Sequence, residues 1–438
     1  MRPSARYAAL IELLEQIEDA IATRGFPADV LVAGYFRARR YAGSKDRRAI
    51  SELAYAVLRS RELLLWVLDQ MNAKVTARSL VIAHIALNDL DALELFTTED
   101  QYGPSPLDEG EHSFITALKA LDMTGAPVAI KANLPQWARA GFERRYGEKF
   151  VESAAALNCQ APLDLRVNTL KANPEFRGEV THETTEFKTT AYSPLALRSD
   201  KHVGLGGIAE YGLGQLEVQD EAAQLASLLV DAEPGMQVVD LCAGAGGKSL
   251  AVSACMENKG QLYAFDISAK RLRECRKRAD RAGSHNIQIA QLSGQQAERE
   301  AKLAELASQC DRAYVDVPCS GTGTWRRSPD QRWRLGENEL KELAETQLGL
   351  LREAGELVKA GGRLVYMSCS LMPDENEDVI QRFLADSKGW TLLNYRDVWK
   401  KMIGNDVPET DALIPEALQL SPLSHQTDGF FIAIFERN

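Results

Sequence analysis

Apolar residues recur at helical spacing along the first third of the chain. The segments YAALIELLEQI, AISELAYAVLRSRELLLWVL and LVIAHIALNDLDALELF repeat apolar positions at the period of a helix. Glycine and proline cluster near residues 103–106 and 125–127, where they are expected to end helices. We therefore predict an all-α domain over residues 1–145.

From about residue 216, short apolar runs alternate with amphipathic segments. MQVVDLCA, GQLYAFDIS, NIQIAQL, DRAYVDVP, GGRLVYMSCS and GFFIAIFER are predicted strands, and KSLAVSACME and AKRLRECRKRADRAG are predicted helices. This alternation predicts a Rossmann-like α/β domain over residues 216–438, with a mostly parallel, doubly wound sheet and helices on both faces. Residues 146–215 contain the short strand LDLRVNTL and are predicted to form a small α/β connector.

Composition restricts the class of protein. A chain of 438 residues is long enough for two or three domains. It contains no apolar run of roughly 18 residues, so we expect no membrane span, and its first twenty residues carry acids within their apolar run, unlike a secretory signal. Seven cysteines without a CxxC pair argue against a disulfide framework or a zinc cage. We expect no metal site and a reducing, cytoplasmic location.

Charge is unevenly distributed. The net charge of -11 by itself disfavours binding to nucleic-acid phosphates. Three segments are nevertheless basic: residues 37–48 hold six bases and one acid, residues 270–281 seven bases and two acids, and residues 325–334 four bases and one acid. Each alone is also typical of a solvated helix face. Together they predict a basic surface, with 37–48 and 325–334 holding phosphates.

A glycine-rich loop, DLCAGAGGKSLA, joins a predicted strand to a predicted helix. The GKS triplet suggests a P-loop, but the glycine that a P-loop requires five positions earlier is Cys242. The glycine spacing is also not GxGxxG, whereas Asp266 ends the next strand, where ribose hydroxyls are held. This combination favours adenosine on a tail without phosphates, as in S-adenosylmethionine. A tight turn without a ligand is the remaining alternative.

Two cysteines follow two strands of the same predicted sheet. Cys319 lies in VDVPCSGTG and Cys369 in VYMSCSLMPDENE, so both are expected at the carboxyl edge that also carries the glycine loop. Either alone would more often be a small buried apolar residue. A thiolate that adds to carbon 6 of cytosine activates carbon 5 toward a methyl donor, Asp316 could hydrogen-bond ring nitrogen 3, and a second thiol could assist release. The base would have to be unpaired or flipped out.

Three motifs carry a resemblance to a known family. DLCAGAGGKS, DVPCSGTGTWRRSPD and LVYMSCSLMPDENE resemble segments of the Sun/RsmB (Fmu) family of RNA cytosine-5 methyltransferases. YFRARRYAGSKDRRAISELAYAVLR resembles the NusB-like helical domain of the RsmB branch. The resemblance implies a NusB-like domain at 1–145, a class I S-adenosylmethionine-dependent methyltransferase domain at 216–438, and RNA, ribosomal RNA above all, as substrate. We expect a monomer.

The resemblance also implies roles for individual residues. Cys369 would be the nucleophile, Cys319 the releasing thiol and Asp316 a contact to the base. Lys248 would close the cofactor loop and help to position the base. The remaining assignments are Cys242, Ala243, Gly244, Ala245, Gly246, Gly247 and Lys248 at the methionine end of the cofactor, Asp266 at its ribose, Ser293 and Asp316 also at the cofactor, and Arg326 and Arg327 at RNA phosphates.

Ser293 departs from the family pattern, which usually has aspartate at that position, so the charge beside adenine is lost. Two other functions stay open. A catalytically inactive RNA-binding or ribosome assembly factor of the same fold would not need both cysteines and Asp316. A DNA cytosine-5 methyltransferase would use the cysteine of its PC motif, here Cys319, and leave Cys369 unexplained.

Overall fold

The protein was analysed as a computed structural model that describes residues 1–97, 100–173, 175, 181–182, 185–201, 203–404 and 406–438. These residues form two compact units. One unit comprises Met1–Gln160 and Thr324–Glu337, and the other comprises Ala161–Gly323 and Asn338–Asn438. The segment at 324–337 therefore belongs to the helical unit although it lies within the predicted α/β domain.

The first unit is built from helices. The helices are α1 (Pro3–Thr23), α2 (Ala28–Ala38), α3 (Ser44–Arg59), α4 (Arg61–Gln70), α5 (Ala77–Asn88), α6 (Glu109–Ala120), α7 (Val128–Lys131), α8 (Gln136–Tyr146) and α9 (Phe150–Ala156), with 3-10 turns at Leu90–Leu95, Met123–Gly125, Gly147–Lys149 and Pro329–Trp333. Leu13 and Leu14 of α1 are fully buried with Val57 of α3 and Leu80 of α5 in one core. The apolar spacing of the sequence thus forms the inner face of each helix.

The second unit begins with a small antiparallel sheet. Its strands run in the order β4-β5-β1-β6, and β2 pairs with β3. The elements are β1 (Leu163–Val167), β2 (Thr181–His182), β3 (Thr185–Glu186), β4 (Lys188–Thr189), β5 (Ala196–Ser199), a 3-10 turn at Leu205–Gly207, α10 (Ala209–Gly212), β6 (Leu216–Val218) and α11 (Glu221–Leu228). Leu165, Leu197 and Leu216 are buried in a separate small core under this sheet.

The larger sheet has the strand order β12-β14-β11-β10-β7-β8-β9, with β13 paired to β14. Its elements are β7 (Gln237–Asp240), α12 (Gly247–Cys255), β8 (Gln261–Asp266), α13 (Ala269–Ala282), β9 (Ile287–Gln291), α14 (Gln296–Ala304), β10 (Cys310–Asp316), a 3-10 turn at Thr322–Thr324, α15 (Glu337–Leu357), β11 (Val358–Ser368), α16 (Glu377–Asp386), β12 (Trp390–Leu393), α17 (Tyr395–Met402), β13 (Leu418–Leu420), α18 (Pro422–His425) and β14 (Phe430–Arg437).

The doubly wound α/β fold predicted from the sequence is confirmed. Strands β7 to β11 are parallel, whereas β14 pairs antiparallel with β11, β12 and β13. Successive residues of one strand enter opposite cores, since Val239 and Val315 pack on one face and Val238 and Tyr314 on the other. The order of the strands reverses between β7 and β10, and ligands bind at the carboxyl ends of strands beside such a reversal. In the described part of the chain, no helix is both long and apolar enough to cross a membrane.

Candidate active site

Asp240, the last residue of β7, holds the glycine loop by hydrogen bonds. Its Oδ1 accepts the Cys242 N–H at 3.2 Å and its Oδ2 accepts the Ser249 hydroxyl at 2.6 Å. Burial raises the pKa of this carboxyl to about 6. Gly246 has φ +84°, and a Cβ there would lie 2.5 Å from Cys275 Sγ. The loop therefore needs glycine at 246 for conformation and for space.

Asp266 is joined directly to the same loop. The carboxylate is 6% exposed, and its Oδ2 accepts the Gly244 N–H at 2.8 Å while its Oδ1 accepts the Ser268 N–H at 2.7 Å. Gly244 has φ +56°, a conformation that glycine adopts without strain. Next to Asp266, Ile267 is 64% exposed. A carboxylate and an apolar surface thus lie side by side at the end of β8.

The other residues of the loop line the same edge. Ala243 is buried and its N–H donates to Phe265 O at 2.8 Å, and Ala245 O accepts from Arg278 at 3.1 Å. Cys242 is partly exposed, and burial raises the pKa of its thiol. Gly247 begins α12, so its amide and that of Lys248 belong to the first turn of a helix. Free amides of a first turn are hydrogen-bond donors for a ligand.

Ser293 follows β9 at the same edge of the sheet. The last residues of β8 and β9 are in register, because Asp266 faces Gln291 across the ladder. The Ser293 hydroxyl accepts the N–H of Gln295 at 3.1 Å. The serine predicted for adenine therefore caps a local turn and is partly exposed.

The two cysteines meet at the ends of neighbouring parallel strands. Their sulfur atoms are 3.2 Å apart, and the Gly323 N–H donates to Cys369 O at 2.9 Å. As whole residues, Cys319 and Cys369 are partly exposed. The pKa of the Cys319 thiol is raised well above its ordinary value, first by its hydrogen bond with Cys369 and then by burial. The sequence motifs thus bring two thiols into direct contact.

Lys248 and Asp316 form an ion pair between α12 and β10. The Lys248 Nζ lies 2.6 Å from Asp316 Oδ2 and 4.7 Å from the centre of the Phe430 ring. The lysine side chain is 12% exposed and the aspartate side chain 31%. The sequence analysis assigned separate roles to these two residues and did not predict that they pair with each other.

Sequence reasoning missed three residues at this edge: Asp240, Glu375 and Phe430. Asp240 is the acid at the end of a strand and immediately before the glycine loop, which is a signal that the sequence does contain. Glu375 lies in the DENE run after Cys369 and is fully buried. The ring contact of Phe430 with Lys248 depends on the antiparallel return of β14, for which the linear sequence has no signal.

Arg326 and Arg327 lie in the helical unit. Arg326 is 6% exposed and its carbonyl accepts a hydrogen bond from Arg59 at 3.0 Å. Arg327 is partly exposed. The burial of Arg326 argues against the predicted phosphate contact, because a phosphate would have to reach a side chain that the fold encloses. A role for Arg327 in RNA binding stays a prediction.

The fold and the site together define a Rossmann-like methyltransferase. A family model described as 16S rRNA methyltransferase RsmB/F matches residues 227–436, and a model of a ferredoxin-like domain of RsmF/B-like methyltransferases matches residues 134–205. The chain belongs to the RsmB/F methyltransferase family, which confirms the resemblance found in the sequence.

Individual relatives agree with this assignment. A protein of Synechocystis named probable ribosomal RNA small subunit methyltransferase B is 36% identical over 323 residues, covering 72% of this chain and 69% of that protein. The protein of the same name in Bacillus subtilis is 29% identical and covers 74% of this chain and 73% of its own length. A crystal structure of a methyltransferase homolog protein from Pyrococcus horikoshii has 26% identity and a TM-score of 0.60 over 73% of this chain and 100% of that one. The crystal structure of PH0851 shares the fold with a TM-score of 0.77.

Proposed function

We propose that this protein is an S-adenosylmethionine-dependent methyltransferase that acts on carbon 5 of a cytosine in RNA, with ribosomal RNA as the substrate class. The observation that carries the proposal is the pair of thiols, 3.2 Å apart, at the ends of two adjacent strands. A DNA-type enzyme needs one thiol and an inactive assembly factor needs none. The names of the relatives support ribosomal RNA over other RNAs.

The residues around the glycine loop fit S-adenosylmethionine, which supplies an electrophilic methyl group when bound. Each oxygen of Asp266 accepts one backbone N–H and keeps further lone pairs for the two ribose hydroxyls. Exposed Ile267 offers an apolar surface to the adenine ring, with Ser293 at its edge. The segment from Cys242 to Lys248 lines the methionine end of the cofactor. The hydrogen-bond donors of this segment do not need a triphosphate as their ligand.

Cys369 is the proposed nucleophile. Its thiolate forms a bond to carbon 6 of the flipped-out cytosine, and the ring electrons move to carbon 5, which takes up the methyl group. The negative charge that develops at ring nitrogen 3 is met by a proton from the pair of Lys248 and Asp316, whose Nζ and Oδ2 lie 2.6 Å apart. The Lys248 ammonium also keeps this carboxylate oriented toward the opening of the site.

Cys319 is proposed to complete the cycle. Its sulfur lies next to the attacking sulfur, so it is within reach of the proton on carbon 5. Removal of that proton sends its bonding electrons into the ring, the bond between carbon 6 and Cys369 breaks, and the thiolate is regenerated. Cys319 must first lose its own proton to solvent, and its raised pKa then makes the thiolate a strong base for the proton on carbon 5.

The helical unit is proposed to be a NusB-like RNA-binding domain. Arg37, Arg40 and Arg47 line one surface cleft of about 650 Å³. Among the described residues none of the three has an acidic partner within ion-pair distance, whereas Arg39 and Arg48 pair with Glu12 and Glu52. Three uncompensated arginines around one cleft in an acidic protein favour a phosphate ligand. The division into 1–145, 146–215 and 216–438, the monomeric state and the cytoplasmic location stay predictions.

Two variants test the reaction. Cys369→Ala removes the nucleophile and is expected to abolish both methylation and any covalent protein–RNA adduct. Cys319→Ala keeps the nucleophile and is expected to accumulate an adduct that survives denaturing electrophoresis, because release is blocked. Bisulfite sequencing of RNA from cells with and without the protein identifies the methylated cytosine.

The opposite pattern has a defined meaning. An adduct that accumulates with Cys369→Ala and disappears with Cys319→Ala would reverse the two roles and favour the DNA-type enzyme. Loss of methylation in both variants without an adduct in either would contradict covalent catalysis. Cys159→Ala is the matched control, because this exposed cysteine lies in the helical unit.

A further inference from the structure

Glu375 is a fully buried carboxylate between the two loops that carry the cysteines. It precedes α16, and it has no assigned role in the reaction. Its Oε1 accepts the Ser320 N–H at 2.8 Å and a Gln347 side-chain N–H at 2.9 Å. Its Oε2 accepts the Ser320 hydroxyl at 2.5 Å and also the Ser370 hydroxyl.

Each serine in this network directly follows one of the cysteines. Ser320 is the neighbour of Cys319 and Ser370 the neighbour of Cys369. The two hydroxyl oxygens are 3.3 Å apart, so the carboxylate bridges both loops at their closest approach. Gln347 extends the bridge, because its amide also donates to Pro318 O at 2.9 Å. Glu375 is thus connected to each cysteine through a single intervening serine.

The carboxylate is held as an acceptor. Two N–H and two O–H donors converge on its two oxygens, which is the arrangement that satisfies a buried anion. Among the described residues it has no Lys, Arg or His within ion-pair distance, and burial raises its pKa while the bonds from Ser320 and Ser370 oppose that rise. An anion buried without a countercharge is costly. A neutral side chain would suffice if the position only filled space.

We propose that Glu375 is a positioning residue that sets the separation between the sulfurs of Cys319 and Cys369, acting through Ser320 and Ser370. Its catalytic meaning rests on the proposed function, since only a two-thiol reaction needs that separation. The bridge is also unequal: Glu375 receives two bonds from Ser320 and one from Ser370. It therefore fixes the releasing thiol more firmly than the attacking one.

The charge of Glu375 adds to this difference. It contributes to the raised pKa of Cys319, after the hydrogen bond with Cys369 and burial. The two motifs look alike in sequence, and the bridge gives their thiols different surroundings.

Phenylarsine oxide tests the separation without RNA or cofactor. Its arsenic(III) binds two neighbouring thiols and releases water, with no change of oxidation state, and excess monothiol removes it from single cysteines. In the wild-type full chain the reagent is expected to bridge Cys319 with Cys369 and protect both from alkylation, as peptide mass spectrometry reports. Glu375→Gln has an amide that donates where an acceptor is needed, so bridging is expected to slow at least tenfold.

Glu377→Gln is the matched control. Glu377 is 1% exposed and its carboxylate accepts the Leu413 N–H at 2.9 Å. This variant is expected to bridge at the wild-type rate even if its unfolding midpoint falls. Bridging by Glu375→Gln within twofold of wild type would overturn the proposal.

Ser370→Ala keeps the proposal testable if Glu375→Gln does not fold. It removes the bond between Glu375 and the Cys369 loop, together with the contacts of the Ser370 hydroxyl to the Met372 N–H and to the Thr322 and Ser320 hydroxyls. Bridging is therefore expected to slow and kcat to fall while KM for RNA is unchanged. A wild-type bridging rate in Ser370→Ala would contradict the proposal. If bridging depends on Glu375 but the wild-type protein methylates no cytosine, the proposed function fails and the positioning role stands.

Discussion

Two basic segments of the helical unit have similar composition and opposite environments. Segment 37–48 has Arg37 and Arg40 exposed to solvent. Segment 325–334 has Trp325, Asp330 and Arg332 at 1%, 2% and 0% exposure. A run of arginines with one acid therefore does not by itself distinguish a phosphate-binding surface from a core element.

The buried segment is enclosed by aromatic side chains. Trp325 stacks on Phe142 at 6.0 Å and meets Trp137 edge-on at 5.9 Å. The Arg332 guanidinium lies 4.9 Å from the Trp325 ring. Tryptophan between arginines is also typical of nucleic-acid surfaces. The sequence of segment 325–334 is therefore compatible with a nucleic-acid surface and with a core element, and the packing of the neighbouring helices decides between them.

Of the changes that test the difference between the two segments, replacement of Arg332 is expected to have the largest effect, a loss of folding stability. Its guanidinium donates to Asn133 O at 3.1 Å, Leu157 O at 2.8 Å and Asn158 Oδ1 at 2.5 Å. Arg332→Met keeps the length and leaves these acceptors without a donor, which costs about 1–3 kcal/mol for each buried group, partly offset by removing a buried charge. We expect a net loss of about 3 kcal/mol in the free energy of unfolding, measured by urea denaturation.

Arg48→Met is the control from the other segment. Arg48 is exposed and pairs with Glu52 one turn along α3. Such a pair contributes about 0.3–0.5 kcal/mol. Equal destabilisation by the two variants would show that the segments do not differ in the way the structure describes.

Joint replacement of Arg37, Arg40 and Arg47 by glutamine is expected to act mainly on RNA binding, with a smaller loss of stability because Arg47 Nε also donates to Ala42 O at 2.7 Å. Each lost phosphate contact lowers the salt slope for single-stranded RNA by about 0.7, so the triple variant should lose about 2. Fluorescence anisotropy across a salt series measures this slope. Arg39→Gln, whose arginine is already paired with Glu12, serves as control. An unchanged slope in the triple variant would contradict a phosphate site at the cleft.

Arg326 and Arg327 are expected to separate into one structural and one surface residue. Arg327→Gln should lower the salt slope by at most about 0.7. Arg326→Gln should shift the unfolding midpoint instead, because the side chain is buried. A loss of salt slope in Arg326→Gln at full stability would restore the phosphate contact that the sequence predicted.

The large sheet and the meeting of the cysteines follow from local patterns in the sequence. Alternating apolar runs predict the parallel strands, and two motifs at strand ends predict that Cys319 and Cys369 share an edge. The contact of Lys248 with Asp316 and the bridge of Glu375 involve residues far apart in the chain. Their partners depend on strand order and on loop conformation, which periodicity does not encode. The burial of segment 325–334 likewise depends on tertiary packing and not on a local pattern.

The smallest expected effect concerns the single acid in each basic segment. Asp330 Oδ2 accepts the Ala28 N–H at 3.0 Å, and burial raises the pKa of this carboxyl. Asp46 has its pKa lowered, first by a hydrogen bond from the terminal amine and also by one from Arg6 at 2.9 Å. The two acids should therefore give stability opposite dependences on pH.

For Asp330 the folded pKa exceeds the ordinary value of about 3.9, so the folded state binds more protons between the two values. Stability should fall as pH rises through this window, and the Asp330→Asn variant should lack this pH-dependent fall in stability.

For Asp46 the folded pKa is below the ordinary value, so its contribution to stability is present above about pH 4 and is lost as pH falls through the folded pKa. Asp46→Asn should therefore destabilise the protein at neutral pH and cost less in acid. Thermal unfolding midpoints of the two variants and wild type, taken from pH 3 to pH 7, measure both slopes. A change of the same sign in both variants would mean that Asp330 is solvated like a surface acid, and segment 325–334 would then not be the buried member of the pair.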